Sequence, residues 1–420
     1  MTLKRNLRGS VAAITLLGAA VVSTPASATE GYFAIGYSAV QRAMGGAGVA
    51  HTNDAMSAAA NPAGVADVGR ELVLGGQLFN PVRGFEGTGT FFVPPSEVNS
   101  DKNFFISPNI AYNVPLANGA VLNFAAYGNG GMNTTYPDDA NPNCLSGVFC
   151  AGPAGVDLLQ LFLSATYAKK VGAVSFGIAP TVVIQGFSAS GLGAFGTISV
   201  DDTALTDNGH DWSFGYGLRG GIEIDLSDTL RFGLAGQTKM WMSEFEMYSG
   251  LFEDGGDFDI PASVTAGFAL DVQPNLTVML DYQHIFYSGI GALANAGDAG
   301  PLGAPDGAGF GWEDVDVVKL GVEWRASDKM TLRAGYAHSS NPVGPEDVTL
   351  NILAPGITTH HFTAGGTFNI NDRDSINFSA VYAPENTVSG AETTPGGPTP
   401  GTVELKMHQA SINVEWSRTF

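Results

Sequence analysis

Four groupings in the 420-residue sequence hold residue types that can do chemistry. Gly215, Gly217 and Gly220 match the G-x-G-x-x-G spacing of a dinucleotide-binding turn, but they lie inside "DWSFGYGLRGGIEIDL". That stretch alternates and opens no helix, so a pyrophosphate would find no helix N-terminus there. His360 and His361 are adjacent, and neighbours on a strand point to opposite faces, which separates them as metal ligands. "FEDGGDFD", Phe252 to Asp259, offers carboxylates for Ca²⁺ without EF-hand spacing and reads as a solvated acidic loop. Cys144 and Cys150 are close enough in sequence for a local disulfide in an oxidising compartment; a zinc site is the weaker alternative, with no His nearby in sequence. No Ser/His pair is singled out, so neither an enzyme nor a cofactor or metal is expected.

Composition explains what such chemistry would have to sit on. Charged residues make up 14% and glycine 56 of 420, far from the roughly one-quarter charged residues of an ordinary soluble domain. The formal net charge is −21, which excludes a nucleic-acid footprint. Lys4, Arg5 and Arg8 precede an apolar run from Val11 to Val22 and a small-residue Ala26-Ser27-Ala28. This is the pattern of a secretory signal peptide, residues 1–28, cleaved after Ala28. An N-terminal membrane anchor would need a longer apolar run. Losing those three cations takes the charge from −21 to −24.

The remaining chain alternates. Trp212, Phe214, Tyr216, Leu218, Ile222 and Ile224 share one parity, and Asp211, Ser213, Gly215, Arg219 and Glu223 the other. The same pattern returns in "IPASVTAGFALDV", "HFTAGGTFNI" and the closing "ASINVEWSRTF". Fourteen such strands are expected, near 70–82, 103–114, 119–130, 157–171, 174–187, 211–226, 229–243, 260–272, 276–288, 313–326, 329–340, 359–371, 374–384 and 402–420. Short turns alternate with long loops at 83–102, 131–156, 188–210, 244–259, 289–312, 341–358 and 385–401. A soluble sandwich has no reason for that alternation; an outer-membrane barrel has short periplasmic turns and long outer loops. The expected fold is therefore all-β: a 14-stranded antiparallel transmembrane β-barrel, residues 70–420, in the bacterial outer membrane, facing lipid and lipopolysaccharide. Its last strand must close on its first, because lipid tolerates no open edge. Trp416 and Phe420 suit the aromatic girdle, and Arg418 can snorkel to the headgroups. The same terminal strand is the expected contact for the barrel assembly machinery.

Residues 29–69 read differently, as small-residue sequence without alternation, with a short helix from about Asp54 to Ala60 capped by Asn53 or Asp54. Here "GYSAVQRAMGGAGVAHTNDAMSAAANPAG" resembles the N-terminal hatch of the FadL-type long-chain fatty acid and hydrocarbon transporters, with Asp54, Ala55, Asn61, Pro62 and Ala63 in the places of the family's Asp-Ala and Asn-Pro-Ala. "IPASVTAGFALDVQPNLTVMLDYQHIFYS" is similar to the family's Pro-Ala-Ser strand and the strand after it, and "LRAGYAHSSNPV" resembles its Arg-x-Gly-Tyr and Asn-Pro signature. The resemblance implies a monomer plugged by its hatch, with gating at Asp54, Asn61, Pro62 and Ala63. It also implies passage of hydrophobic molecules from an outer groove to an inner pocket and through a lateral gap where the third strand kinks. Gly128, Gly130 and Gly131 are the candidate kink, the alternative being a plain strand end.

The expected function is passive outer-membrane transport of hydrophobic molecules, long-chain fatty acids foremost; the alternative is a general porin for small polar solutes. A fatty acid's carboxylate wants a cation, and Arg333 and Lys319, then Arg219 and Lys239, have the inward parity. The competing role for each is an ion pair with Glu223, Asp225, Asp281 or Glu323. Tyr32, Phe33 and Ile35 of the hatch, and Leu251 and Phe252 of a loop, are candidates for the apolar part of the pocket.

Overall fold

The computed structural model describes residues 30–138, 141–144 and 146–420; the expected signal peptide and its cleavage site lie outside the described residues. Fourteen strands form the wall: β1 Glu71–Thr88, β2 Phe105–Pro115, β3 Ala120–Thr135, β4 Gly155–Val171, β5 Val174–Ser190, β6 Asp211–Asp225, β7 Leu230–Gln237, β8 Ser263–Gln273, β9 Leu276–Ile285, β10 Val315–Ser327, β11 Met330–Ser339, β12 His360–Asn369, β13 Asp374–Thr394 and β14 Gly397–Thr419. Each pairs antiparallel with its chain neighbours, and β14 returns to β1 over eighteen residue pairs, from Glu71↔Thr419 to Thr88↔Thr402. Closure leaves neither the first nor the last strand with a free edge to lipid, where each unpaired backbone group would cost several kcal/mol.

The burial of the wall is inside out relative to a soluble protein. On β14, Ser411, Asn413, Glu415 and Ser417 are buried, whereas Ile412 and Val414 are more than half exposed. Tyr216 on β6, Val182 on β5 and Leu280 on β9 likewise face outward, while Gln185, Thr181 and Asp281 face in. An apolar ring of this kind is stable only against hydrocarbon. At the short-turn end Trp416 Nε1 donates to Asp374, Arg418 reaches the same carboxylate at 3.4 Å and lies over the Phe420 ring, and the Phe420 amide donates to Arg70.

Strand boundaries differ from expectation at several places: β1 runs on to Thr88 and β3 to Thr135, beyond the expected 82 and 130. The segment 385–401 is no loop but the continuation of β13 and β14 into a long hairpin, because its Thr and Val residues favour strand and its prolines fall where β14 has not yet met β1. Conversely, the strand expected over 229–243 stops at Gln237. There the Thr238 hydroxyl donates to the Lys239 carbonyl and accepts from the Leu218 amide, replacing the ladder, and only Trp241–Met242 rejoins β6.

Candidate functional site

Residues 30–69 fill the lumen as a packed plug. A short helix, α1, spans Ala39–Ala43 behind a Ser38 cap. A 3₁₀ turn follows at Ala55–Ala59, its Ser57 amide donating to Asp54, and a second turn at Gly64–Asp67. The plug's small residues meet glycines of the wall: a Cβ on Gly335 would lie 2.1 Å from the Met44 carbonyl carbon, and one on Gly177 2.3 Å from Pro62. The glycine-rich composition thus has a cause, since backbone must approach backbone. Asn61 donates from Nδ2 to the carbonyls of Val49, at 2.7 Å, and Ile222, at 3.1 Å, and accepts from the Ala63 amide. It joins two turns of the plug to β6. Asp281 on β9 accepts from the amides of Gly48 and Val49 at 2.7 and 2.9 Å.

Arg219, Lys319 and Arg333 point inward, Lys239 lies half-buried among the loops instead, and all four are engaged. Lys319 pairs with Glu30, a plug residue and not a wall acid, at 2.9 Å. Arg333 binds Glu323 at 2.7 Å and the Thr367 hydroxyl at 2.6 Å, and Glu323 also meets His51 at 3.2 Å. Arg219 donates to the Tyr127 hydroxyl and the Ala59 carbonyl and lies over the Tyr37 ring. Lys239, beyond the end of β7, reaches Asp259 at 2.6 Å. His360 faces out and His361 in, where its ring is buried and neither nitrogen makes a hydrogen bond. Cys144 and Cys150 are joined by a disulfide, Cα atoms 5.4 Å apart.

The wall is interrupted between β2 and β3. Their ladder runs only from Pro115↔Val121 to Asn109↔Tyr127, although β2 continues along β1 to Phe105 and β3 continues along β4 to Thr135. A bulge falls between Gly128 and Gly131 in the β3–β4 ladder. There β3 pairs instead with the plug: the Ala34 amide donates to Asn129, the Gly131 amide to Tyr32, and Tyr37 to the Asn129 side chain. A Cβ on Gly130 would lie 1.8 Å from the Tyr32 carbonyl oxygen, so only glycine allows the contact. A cleft lined by Phe79 and Arg83 of β1, Met132 of β3, Trp312 and Met407 lies beside this stretch of β3. Arg83 closes its outer end, donating to Ser100, the Lys102 carbonyl and Asn133.

Tyr32 and Phe33 pack with Tyr287 and Trp312, and the Tyr287 hydroxyl donates to the Glu30 carbonyl at 2.6 Å. Ile35 is buried beside them. Leu251 and Phe252 are buried too, Phe252 against Phe187 and Phe258, so they form the core of the loop cap rather than an exposed surface. Above them the loops enclose a groove of about 590 Å³, with Phe195, Ile198, Leu302 and Leu350 as its apolar walls and Asp298, Glu346 and Asp347 among its lining. Glu30, Arg83 and the groove acids escape a parity argument. Only Glu30 carries a sequence signal, as the lone charge between the signal segment and Arg42.

Residues 19–417 match the family described as outer membrane protein transport protein (OMPP1/FadL/TodX). No curated protein matches the sequence. Among solved structures, the Pseudomonas putida toluene transporter TodX superposes with a TM-score of 0.70 at 17% identity, over 92% of this chain and 99% of that one. The Ralstonia pickettii toluene transporter TbuX gives 0.66 at 18%, over 92% and 98%. A Pseudomonas aeruginosa FadL homologue gives 0.68 at 15%, over 93% and 100%.

Proposed function

We propose, from the premise that this chain belongs to the OMPP1/FadL/TodX family of outer-membrane transport proteins, a route by which it moves its cargo. Membership places it in the bacterial outer membrane as a passive transporter of hydrophobic small molecules and not an enzyme. In our reading the cargo is a long-chain hydrophobe, either a fatty acid or a hydrocarbon. It settles in the loop groove, passes the aromatic cluster of Tyr32, Phe33, Tyr287 and Trp312, and leaves sideways between β2 and β3 into the membrane. Displacement of the plug around Asp54 and Asn61-Pro62-Ala63 opens the step between groove and gap.

The observation that carries this reading is the broken β2–β3 ladder, because a stretch of wall where neighbouring strands do not pair with each other, beside an apolar cleft, has no use in a pore for polar solutes. A general porin would keep its lumen open, whereas here residues 30–69 fill it. The test compares uptake of a labelled long-chain hydrophobe and of a small sugar by cells carrying the intact protein or the Asn61→Ala, Pro62→Ala variant. Hydrophobe uptake that changes with the plug, without sugar flux through the intact protein, is the expected result. Sugar flux without hydrophobe uptake would make the chain a porin.

A further inference from the structure

We infer that the cargo carries no negative charge: an uncharged hydrophobe, with the ionised fatty acid disfavoured. This deepens the proposed function and rests on the groove and lumen being its path. Two separate observations lead to it.

The first is the groove. Its walls are mostly apolar, and the ionisable groups that line it are all acids, Asp298, Glu346 and Asp347. Asp347 accepts the Gly297 amide at 2.9 Å, and burial together with the charges of Glu346 and Asp298 pushes its carboxyl above the ordinary range. The three acids therefore act on one another, and among the described residues no cation makes a salt bridge to any of them. The surrounding loops offer little help, because 89–104, 136–154, 191–210, 238–262, 286–314 and 340–359 contain only Lys102 and Lys239 as cations. Lys239 is held by Asp259, and Lys102 lies 3.7 Å from Asp157. A carboxylate entering the groove meets like charge from its first contact.

The second is the lumen, where a carboxylate would need an available cation. Lys319 is neutralised by Glu30 and Arg333 by Glu323, both pairs buried. Arg219 is committed to Tyr127 and a plug carbonyl, and both terminal nitrogens of Arg83 are committed to carbonyl, hydroxyl and amide oxygens. Arg42 of the plug donates to Asn413 at 3.1 Å and lies in the field of the buried Glu415 carboxylate, and Arg231 pairs with Asp271 at 3.1 Å. To bind an anion the protein would first have to break one of these sets or draw Arg42 away from Glu415. A neutral hydrophobe needs only the apolar surface, and a buried polar group left unpaired penalises the wrong head group strongly.

The test measures protein-dependent uptake of hexadecanoic acid and its methyl ester at pH 8, where the acid is ionised, with a small sugar as control. Ester uptake should exceed acid uptake by about tenfold, the effect of one unscreened like charge near a surface. The Asp298→Asn, Glu346→Gln, Asp347→Asn variant, checked for folding by heat-modifiable gel mobility, should raise the acid-to-ester ratio several-fold. Acid uptake equal to or above that of the ester in the intact protein, or a ratio unmoved in the variant, overturns the inference while leaving hydrophobe transport standing. Sugar flux with neither lipid taken up overturns the transport reading itself.

Discussion

Lys319 of β10 and Glu30 of the plug meet inside the lumen, the ammonium 2.9 and 3.1 Å from the two carboxylate oxygens, with both side chains almost wholly buried. Breaking such a pair from one side leaves a buried charge and costs about 3–5 kcal/mol, whereas replacing both partners is far cheaper. Glu30→Gln should therefore destabilise the plug by that order, and Glu30→Gln with Lys319→Met should recover most of it. Hydrogen exchange at residues 31–37 in detergent provides the check. Equal protection in the intact protein and the single variant would show that the pair tethers nothing.

Gly130 is the point where the wall yields its pairing to the plug. Gly130→Ala drives a methyl into the Tyr32 carbonyl and should cost roughly 1–3 kcal/mol of overpacking strain, relieved by moving residues 31–34 off β3. Hydrophobe uptake should fall while heat-modifiable mobility of the barrel persists. Unchanged uptake with unchanged plug protection would mean that the contact is slack.

Ile412 tests which side of the wall meets lipid. It is 56% exposed, and a lysine there would be nearly neutral on a water-facing surface. On a lipid face near the midplane it should cost roughly 2–4 kcal/mol. Reversible guanidinium unfolding from lipid vesicles distinguishes the two.

Asp257 gives the loop cap a pH dependence. Burial first, then the neighbouring Asp259, push its carboxyl from 3.8 up to about 6, with Lys239 opposing. A raised folded value means that the folded loop binds the proton more tightly than the unfolded chain, so its contribution is full below about 3.8 and is lost as pH rises through about 6. Hydrogen exchange across 250–260 should show the intact loop less protected than Asp257→Asn at pH 7 and equally protected at pH 3.5. Protection that grows with pH would mean that Lys239 holds Asp257 as an ion pair.

Alternation made the wall legible because a strand with one face in lipid must repeat every two residues, as β6 does over 211–219 and β14 over 410–418. The same reasoning failed where side chains compete with the ladder, as Thr238 does at the end of β7, and where Gly, Pro and Thr continue a strand beyond the membrane, as in the β13–β14 hairpin. Inward parity correctly located Arg219, Lys319 and Arg333 but could not name their partners. Those partners are set by how the plug threads the lumen, and Glu30 lies 289 residues from the lysine it neutralises. Arg83 was invisible for a related reason: the feature it closes is a missing ladder, and no residue spells out an absent hydrogen bond.

The closing seam between β1 and β14 also ties the plug to the wall at the point where the ring is completed. The segment that ends up inside leads directly into the first stave of the cask, and the last stave to be made is the one that shuts it. The stopper is packed backbone against backbone onto Gly177, Gly233 and Gly335, leaving no room for a side chain between the two. Stopper and cask share one fitted surface, and the joint from Glu71↔Thr419 to Thr88↔Thr402 holds the staves around it.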